Sequence, residues 1–279
     1  MYAIQAPTKS HAISGGNNTT LSVQEWGQLD ATPILFIHAW SQSHLGWLSQ
    51  IDSDLAKQYR LITFDLRGHG LSAAPPEPEA YTSGDLWADD IHAIINALDL
   101  QEVVLVGWSL GSLVALDYLA KYGTNNIKAV NLVAGFNALN VERAQSHLGE
   151  LNTTLLPQMM ASDLGSETMA VLETTKKLYL NRLDSDLLAF IVGYQMVTRP
   201  NIRYAMVTRS VDHQATLTHL NIPVLLSHGD QDDIAAVQAA YDAQSFNPSF
   251  RLSIYQGAGH APHAFDAARF NRELQSLIH

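Results

Sequence analysis

Short apolar runs alternate with stretches of helical periodicity through the first half of the chain. Residues 21–26 alternate polar with apolar positions, which predicts a strand. Residues 33–38 (Pro-Ile-Leu-Phe-Ile-His) form a short apolar run bounded by turn signals, the pattern of a strand buried on both faces. Residues 43–55 predict a helix and residues 60–65 another buried strand. Gly68, Gly70, Pro75, Pro76 and Pro78 then mark a loop. Behind Ser83-Gly84-Asp85, the spacing of Leu86, Ile91, Ile94, Ile95 and Leu98 predicts an amphipathic helix. A strand at 103–106, a helix after Ser109 and a strand at 129–133 continue the alternation.

The alternation breaks near Gly135. From there to about Leu220 the chain reads as helical without convincing strands, and it holds most of the methionines, flexible apolar side chains suited to an adaptable wall. A strand at 223–228, a helix at 236–243, a strand at 251–255 and a helix at 265–278 then resume the pattern. Strands alternating with helices imply the α/β class, with a mostly parallel, doubly wound sheet covered on both faces. The simplest division puts residues 1–135 and 221–279 in the core and 136–220 in a helical cap over the carboxyl edge of the sheet.

Composition narrows the function. The chain has 279 residues, enough for one large α/β domain with an insertion. A net charge of −11 argues against a nucleic-acid partner, because a polyanion would be repelled. Cysteine is absent, which excludes disulfides, thiolate metal sites and a cysteine nucleophile. Residues 1–16 lack a basic segment followed by an apolar run, so no signal peptide is read there. No stretch approaches the roughly 20 apolar residues of a membrane span, and no basic amphipathic stretch suggests membrane binding. The Asn18 and Asn152 sequons read as chance matches, and the expectation is a soluble, cytoplasmic protein.

The candidate chemistry starts at Gly107-Trp108-Ser109-Leu110-Gly111, which joins a predicted strand to a predicted helix. A sharp strand-to-helix turn strains its central residue and demands small neighbours, which lifts the serine hydroxyl above the sheet. A free hydroxyl is a poor nucleophile and needs a base, usually a histidine held by a carboxylate. Asp232 follows the strand at 223–228, and His260 lies in a glycine-rich loop after the strand at 251–255. In an open parallel sheet, chemistry collects outside the carboxyl ends of the strands.

The chain resembles the α/β-hydrolases of the esterase, lactonase and haloperoxidase-like group. The resemblance rests on His38-Ala39-Trp40, the run from Asp65 to Ser72, the Ser109 turn, and the Asp232 and His260 loops. It implies Ser109 as nucleophile, His260 as base and Asp232 as acid, with the backbone N–H groups of Leu110 and Trp40 as oxyanion hole. It implies hydrolysis of an ester or lactone through an acyl-enzyme, with no metal or organic cofactor and a small apolar substrate. Ala39 stands where the family usually has glycine, and Ser41 where perhydrolase-like members often have proline. A serine at the turn disfavours the dehalogenases and soluble epoxide hydrolases, which use aspartate.

Neighbouring residues offer alternatives. His263 rivals His260 but reads as a helix-start or surface histidine, and Asp230 and Asp233 as a solvated acidic loop. Asp65 and Arg67 suggest a structural turn held by a buried ion pair. His38 and His69 are expected to organise loops through hydrogen bonds, and His44 and His92 to have no function. Of the methionines and aromatics at 136–220, the expected pocket residues are Met159, Met160, Tyr194 and Met196, with Trp40 and Trp108. Arg203 and Arg209 offer charges for a substrate carboxylate but read more simply as solvated surface arginines. The same three groups also suit perhydrolysis, acyl transfer or C–C bond hydrolysis, and a ligand receptor on the same scaffold is a further alternative.

Overall fold

In the computed structural model, which describes residues 5–279, the apolar runs become strands buried end to end. The strands are β1 (Lys9–Ser14), β2 (Thr20–Gly27), β3 (Pro33–Ile37), β4 (Arg60–Phe64), β5 (Val103–Trp108), β6 (Ile127–Val133), β7 (Ala138–Leu139), β8 (Val211–Asp212), β9 (Val224–Gly229) and β10 (Arg251–Tyr255). Eight of them form one sheet in the order β1-β2-β4-β3-β5-β6-β9-β10. The β1–β2 and β2–β4 pairs are antiparallel and the others parallel. Every residue of β3, β5 and β9 is buried, as expected of parallel strands covered on both faces.

The strand order positions the site. From β3 the chain moves to β4 on one side, then crosses to β5 on the other. The carboxyl ends of β3 and β5 therefore flank a topological switch point, where open α/β sheets bind their ligands. Trp40 follows β3, and Ser109 follows β5.

Four differences from the sequence-based expectation have physical causes. β1 was not anticipated because Lys-Ser-His-Ala-Ile-Ser has the polar, exposed make-up of an edge strand. Residues 43–55 form two 3₁₀ turns, His44–Trp47 and Asp54–Lys57, around one α turn, Leu48–Ile51. Ser53 breaks the helix by taking extended backbone and accepting the Leu55 N–H with its own hydroxyl. At the C-terminus, Asp266 likewise separates Pro262–Phe265 from Ala267–Ile278 and caps the second helix through the Arg269 N–H at 3.0 Å. The segment between β6 and β9 is mostly helical, yet β7 and β8 pair its two ends, Ala138 with Asp212 and Leu139 with Val211. Two-residue strands carry no periodicity to read. Residues 1–4, part of the stretch read for a signal peptide, lie outside the described residues. Among the described residues no helix is long and apolar enough to cross a membrane.

Candidate active site

β5 ends at Trp108 and a helix starts at Leu110, so Ser109 alone makes the turn. Its backbone takes φ 56 and ψ −113, a sparsely populated region that costs about 1–3 kcal/mol. The flanking glycines are steric necessities. A Cβ at Gly107 would lie 2.4 Å from the Gly111 carbonyl oxygen, and one at Gly111 would lie 2.3 Å from that of Ile37. The turn is held by the Ser109 N–H donating to Val133 at 2.9 Å and the Ser112 hydroxyl donating to Gly107 at 2.7 Å.

His260 Nδ1 lies 2.8 Å from Asp232 Oδ2. A carboxylate only accepts, so Nδ1 is the donor in this bond and Nε2 is the ring nitrogen that remains for other partners. The other oxygen, Asp232 Oδ1, accepts the Ile234 and Ala235 N–H groups, each at 2.9 Å. His228 Nε2 stands 3.3 Å from Oδ2. Burial pushes the Asp232 pKa up, but the facing His260 and His228 outweigh it and hold the carboxyl well below its ordinary range. Ser109 and His260 line the same cavity, of about 70 Å3, with Trp40 and Leu110 also in its wall. Among the described residues no hydrogen bond joins the Ser109 hydroxyl to the His260 ring.

Leu110 is the first residue of its helix, so its N–H has no carbonyl within that helix to bond. Trp40 sits in the loop after β3, which two buried histidines organise. His38 Nε2 accepts the Leu66 N–H at 2.9 Å while Nδ1 donates to the Ala39 carbonyl at 2.8 Å. His69 Nε2 accepts the Ser41 N–H at 3.0 Å while Nδ1 donates to the Arg67 carbonyl at 3.1 Å. Each ring is used as donor and acceptor, which requires the neutral form, and burial lowers their pKa values to about 4 and about 3.

Several neighbours sit otherwise than expected. His263 is not at the surface: it opens the helix Pro262–Phe265 fully buried between Trp47 and Trp108, with ring centroids 4.5 and 4.6 Å away. Asp65 and Arg67 do not pair with each other. Asp65 accepts from His44 Nδ1 at 2.8 Å and the Leu71 N–H at 2.9 Å, whereas Arg67 pairs with Asp90 at 2.6 Å. Arg203 and Arg209 are buried, not solvated. Arg209 makes a two-pronged pair with Asp117 at 2.8 and 2.7 Å. Asp230 and Asp233, by contrast, are exposed as expected of a solvated loop, and Asp230 accepts the Gly257 N–H at 2.7 Å.

The expected pocket residues divide. Met159 lines the Ser109 cavity, together with Met206, another methionine of the 136–220 segment, and with Leu156 and Leu178, which sequence reasoning did not single out. Met160 borders a separate groove beside Tyr204, because consecutive residues of a 3₁₀ turn point apart. Tyr194 lines a second cavity, of about 340 Å3, and donates to Gln42 Oε1 at 3.1 Å. Met196 is half-buried against the core. Trp108 lies beneath the turn, wholly buried against Trp47 and His260. Among the described residues no group of three His, Asp or Glu side chains is placed to hold a metal ion.

A strained serine and a histidine held by a buried carboxylate share one small cavity with Trp40 and Leu110, an arrangement that can serve attack on a carbonyl carbon. The comparisons with known proteins agree with this frame. A family model described as the alpha/beta hydrolase fold matches residues 32–267. The crystal structure of an esterase, RhEst1 from Rhodococcus sp. ECU1013, is 31% identical with a TM-score of 0.90, over 96% of this chain and 98% of that one. The non-heme haloperoxidase of Rhodococcus erythropolis is 26% identical, over 95% of this chain and 98% of that protein. The bifunctional esterase/perhydrolase DCH of Acinetobacter calcoaceticus is 24% identical, over 91% of this chain and 94% of that protein. From the strand order, the strained turn and these matches, the chain belongs to the alpha/beta hydrolase fold family.

Proposed function

We propose that this protein is a serine hydrolase of small, apolar carboxylic esters or lactones. The carrying observation is the 2.8 Å contact of His260 Nδ1 with buried Asp232, on the cavity that Ser109 lines. The Ser109 oxygen attacks the carbonyl carbon and its proton passes to His260 Nε2. The oxyanion takes hydrogen bonds from the Leu110 and Trp40 N–H groups, each worth about 3–4 kcal/mol of barrier. As the tetrahedral intermediate collapses, His260 returns the proton to the departing alkoxide, leaving Ser109 acylated. Water then attacks the acyl-enzyme with His260 again as base.

Residues 136–220 act as a cap in this reading, since Leu156, Met159, Leu178 and Met206 close the cavity over Ser109. Its small volume and largely apolar wall favour a compact, apolar acyl group. The names of relatives in the esterase and perhydrolase group support the same chemistry, and the perhydrolase among them favours a second reading. There, hydrogen peroxide replaces water in the second step and the product is a peracid.

The decisive experiment is labelling with a fluorophosphonate probe, peptide mapping of the label, and an acyl-chain panel with water and peroxide as competing acceptors. Label on Ser109 with release of the free acid supports the hydrolase, and peracid as the main product supports the second reading. An unlabelled Ser109 overturns both.

A further inference from the structure

Arg203 is fully buried, and every arm of its guanidinium is engaged. Nη1 donates to the Met159 carbonyl at 2.8 Å and to the Glu167 carboxylate, and Nη2 donates to the Gln195 carbonyl at 2.7 Å. Nε reaches out of the cap to the Ser41 hydroxyl at 2.9 Å. The main-chain carbonyl of Arg203 accepts the Trp40 indole N–H at 3.1 Å. Three of these partners belong to the cap, and Met159 and Gln195 line the Ser109 cavity. The other two are consecutive residues of the loop after β3.

That loop needs an external hold. Ser41 has φ 59, a left-handed conformation that a non-glycine residue keeps only when its surroundings over-determine it. His69 takes the Ser41 N–H and Arg203 takes its hydroxyl, so the peptide beside Trp40 is gripped on both sides. A buried guanidinium is costly unless fully paired. An apolar side chain would staple the cap to the core without that cost. What the guanidinium adds is direction, toward Ser41 from one atom and toward the acyl wall from the others.

We propose that Arg203 is the positioning residue of the oxyanion hole, aligning the Trp40 N–H through Ser41 and the Trp40 indole and coupling it to the cap wall. The proposal rests on the ester-hydrolase reading above. An N–H donor stabilises a developing oxyanion only at about 2.7–3.1 Å, so a loosened loop loses rate before it loses substrate.

Ser41→Ala removes the Nε acceptor and leaves Arg203 its cap partners and Trp40 its indole contact. On a short-chain chromogenic ester, kcat is expected to fall about tenfold while KM stays within about twofold, the split of an interaction made in the transition state. The unpaired Nε is expected to lower the thermal midpoint by several degrees, so kcat is compared well below both midpoints, where both proteins are folded. Arg203→Lys is expected to lose at least as much kcat, and adding Ser41→Ala to it to lose little more, since both disrupt one contact. Wild-type kcat in Ser41→Ala overturns the proposal, as does a loss of kcat that merely tracks a fall in the thermal midpoint. Failure of the probe to label wild-type Ser109 overturns the ester-hydrolase reading itself, and this coupling with it. Labelled wild type with an unaffected Ser41→Ala overturns the coupling alone.

Discussion

The indole N–H of Trp108 donates to the backbone carbonyl of His260 at 2.7 Å. The residue before Ser109 therefore anchors the loop that carries His260, the proposed base, across 152 positions of sequence. Serine and histidine are registered to each other through this bond as well as through the sheet.

Trp108→Phe keeps an aromatic ring but loses the five-membered ring with its N–H donor, leaving a small void and the buried His260 carbonyl unpaired. A stability loss of about 1–3 kcal/mol is expected, with a drop in kcat larger than the change in KM. Urea titration and steady-state kinetics on one ester check both, and wild-type kcat in a destabilised variant would reduce the bond to a purely structural one.

Ser109→Ala removes the hydroxyl but keeps a side chain in the strained turn, so activity and probe labelling are expected to vanish with stability unchanged. Ser109→Gly relieves the positive φ. It is expected to be equally inactive yet more stable by about 1 kcal/mol, a gain that thermal unfolding of the two variants side by side would reveal. Residual turnover at the wild-type rate in either variant removes Ser109 from the chemistry.

The buried histidines set an acid limit. His38 and His69 have pKa values of about 4 and about 3 in the folded protein, and His263 also about 3, against 6.5 unfolded. Because the folded values are depressed, the stability is complete above pH 6.5 and is lost as pH falls toward the folded values. The unfolded chain takes up protons that the native one refuses, which costs about 1.4 kcal/mol per pH unit for each histidine. Asp232 acts in the same direction at lower pH, its carboxylate being favoured in the fold. The urea midpoint is expected to fall steeply from pH 6.5 to 4.5, and less steeply in His263→Phe, which fills the slot between Trp47 and Trp108 without titrating. A flat midpoint across that range contradicts the neutral assignments.

Leu178 lines both the Ser109 cavity and the larger neighbouring one. Leu178→Ala is expected to join them, raising kcat/KM for long-chain over short-chain acyl esters by about tenfold, a pocket-sized discrimination of 1–3 kcal/mol. An unchanged chain-length profile would show that the second cavity stays closed to the acyl group.

What the sequence revealed follows from how local each constraint is. The Ser109 turn is legible because Gly107 and Gly111 answer to backbone atoms that any such turn brings close. Buried parallel strands are legible because covering both faces leaves a run of apolar residues. The grip of Arg203 on Ser41 was illegible: 162 positions separate them, and an arginine gives no sign of burial until its partners are in place. The burial of His263 depends in the same way on Trp47, Trp108 and Phe270 arriving from three separate elements. Met159 and Met160 are adjacent and chemically identical, so only the geometry of their turn separates one that faces the cavity from one that does not.

The short ladder between residues 138–139 and 211–212 gives the helical segment a single narrow neck. Polypeptide leaves and re-enters the core at one doorway, so a foreign set of helices grafted there would inherit the serine turn, and would have to reproduce the backbone bonds of residues 147–151 to the loop beside Asp232. Changing the substrate and keeping the reaction then become separate engineering tasks, except where the segment reaches back to the core, through Arg203 to Ser41, Arg209 to Asp117 and residues 147–151 to residues 233–236.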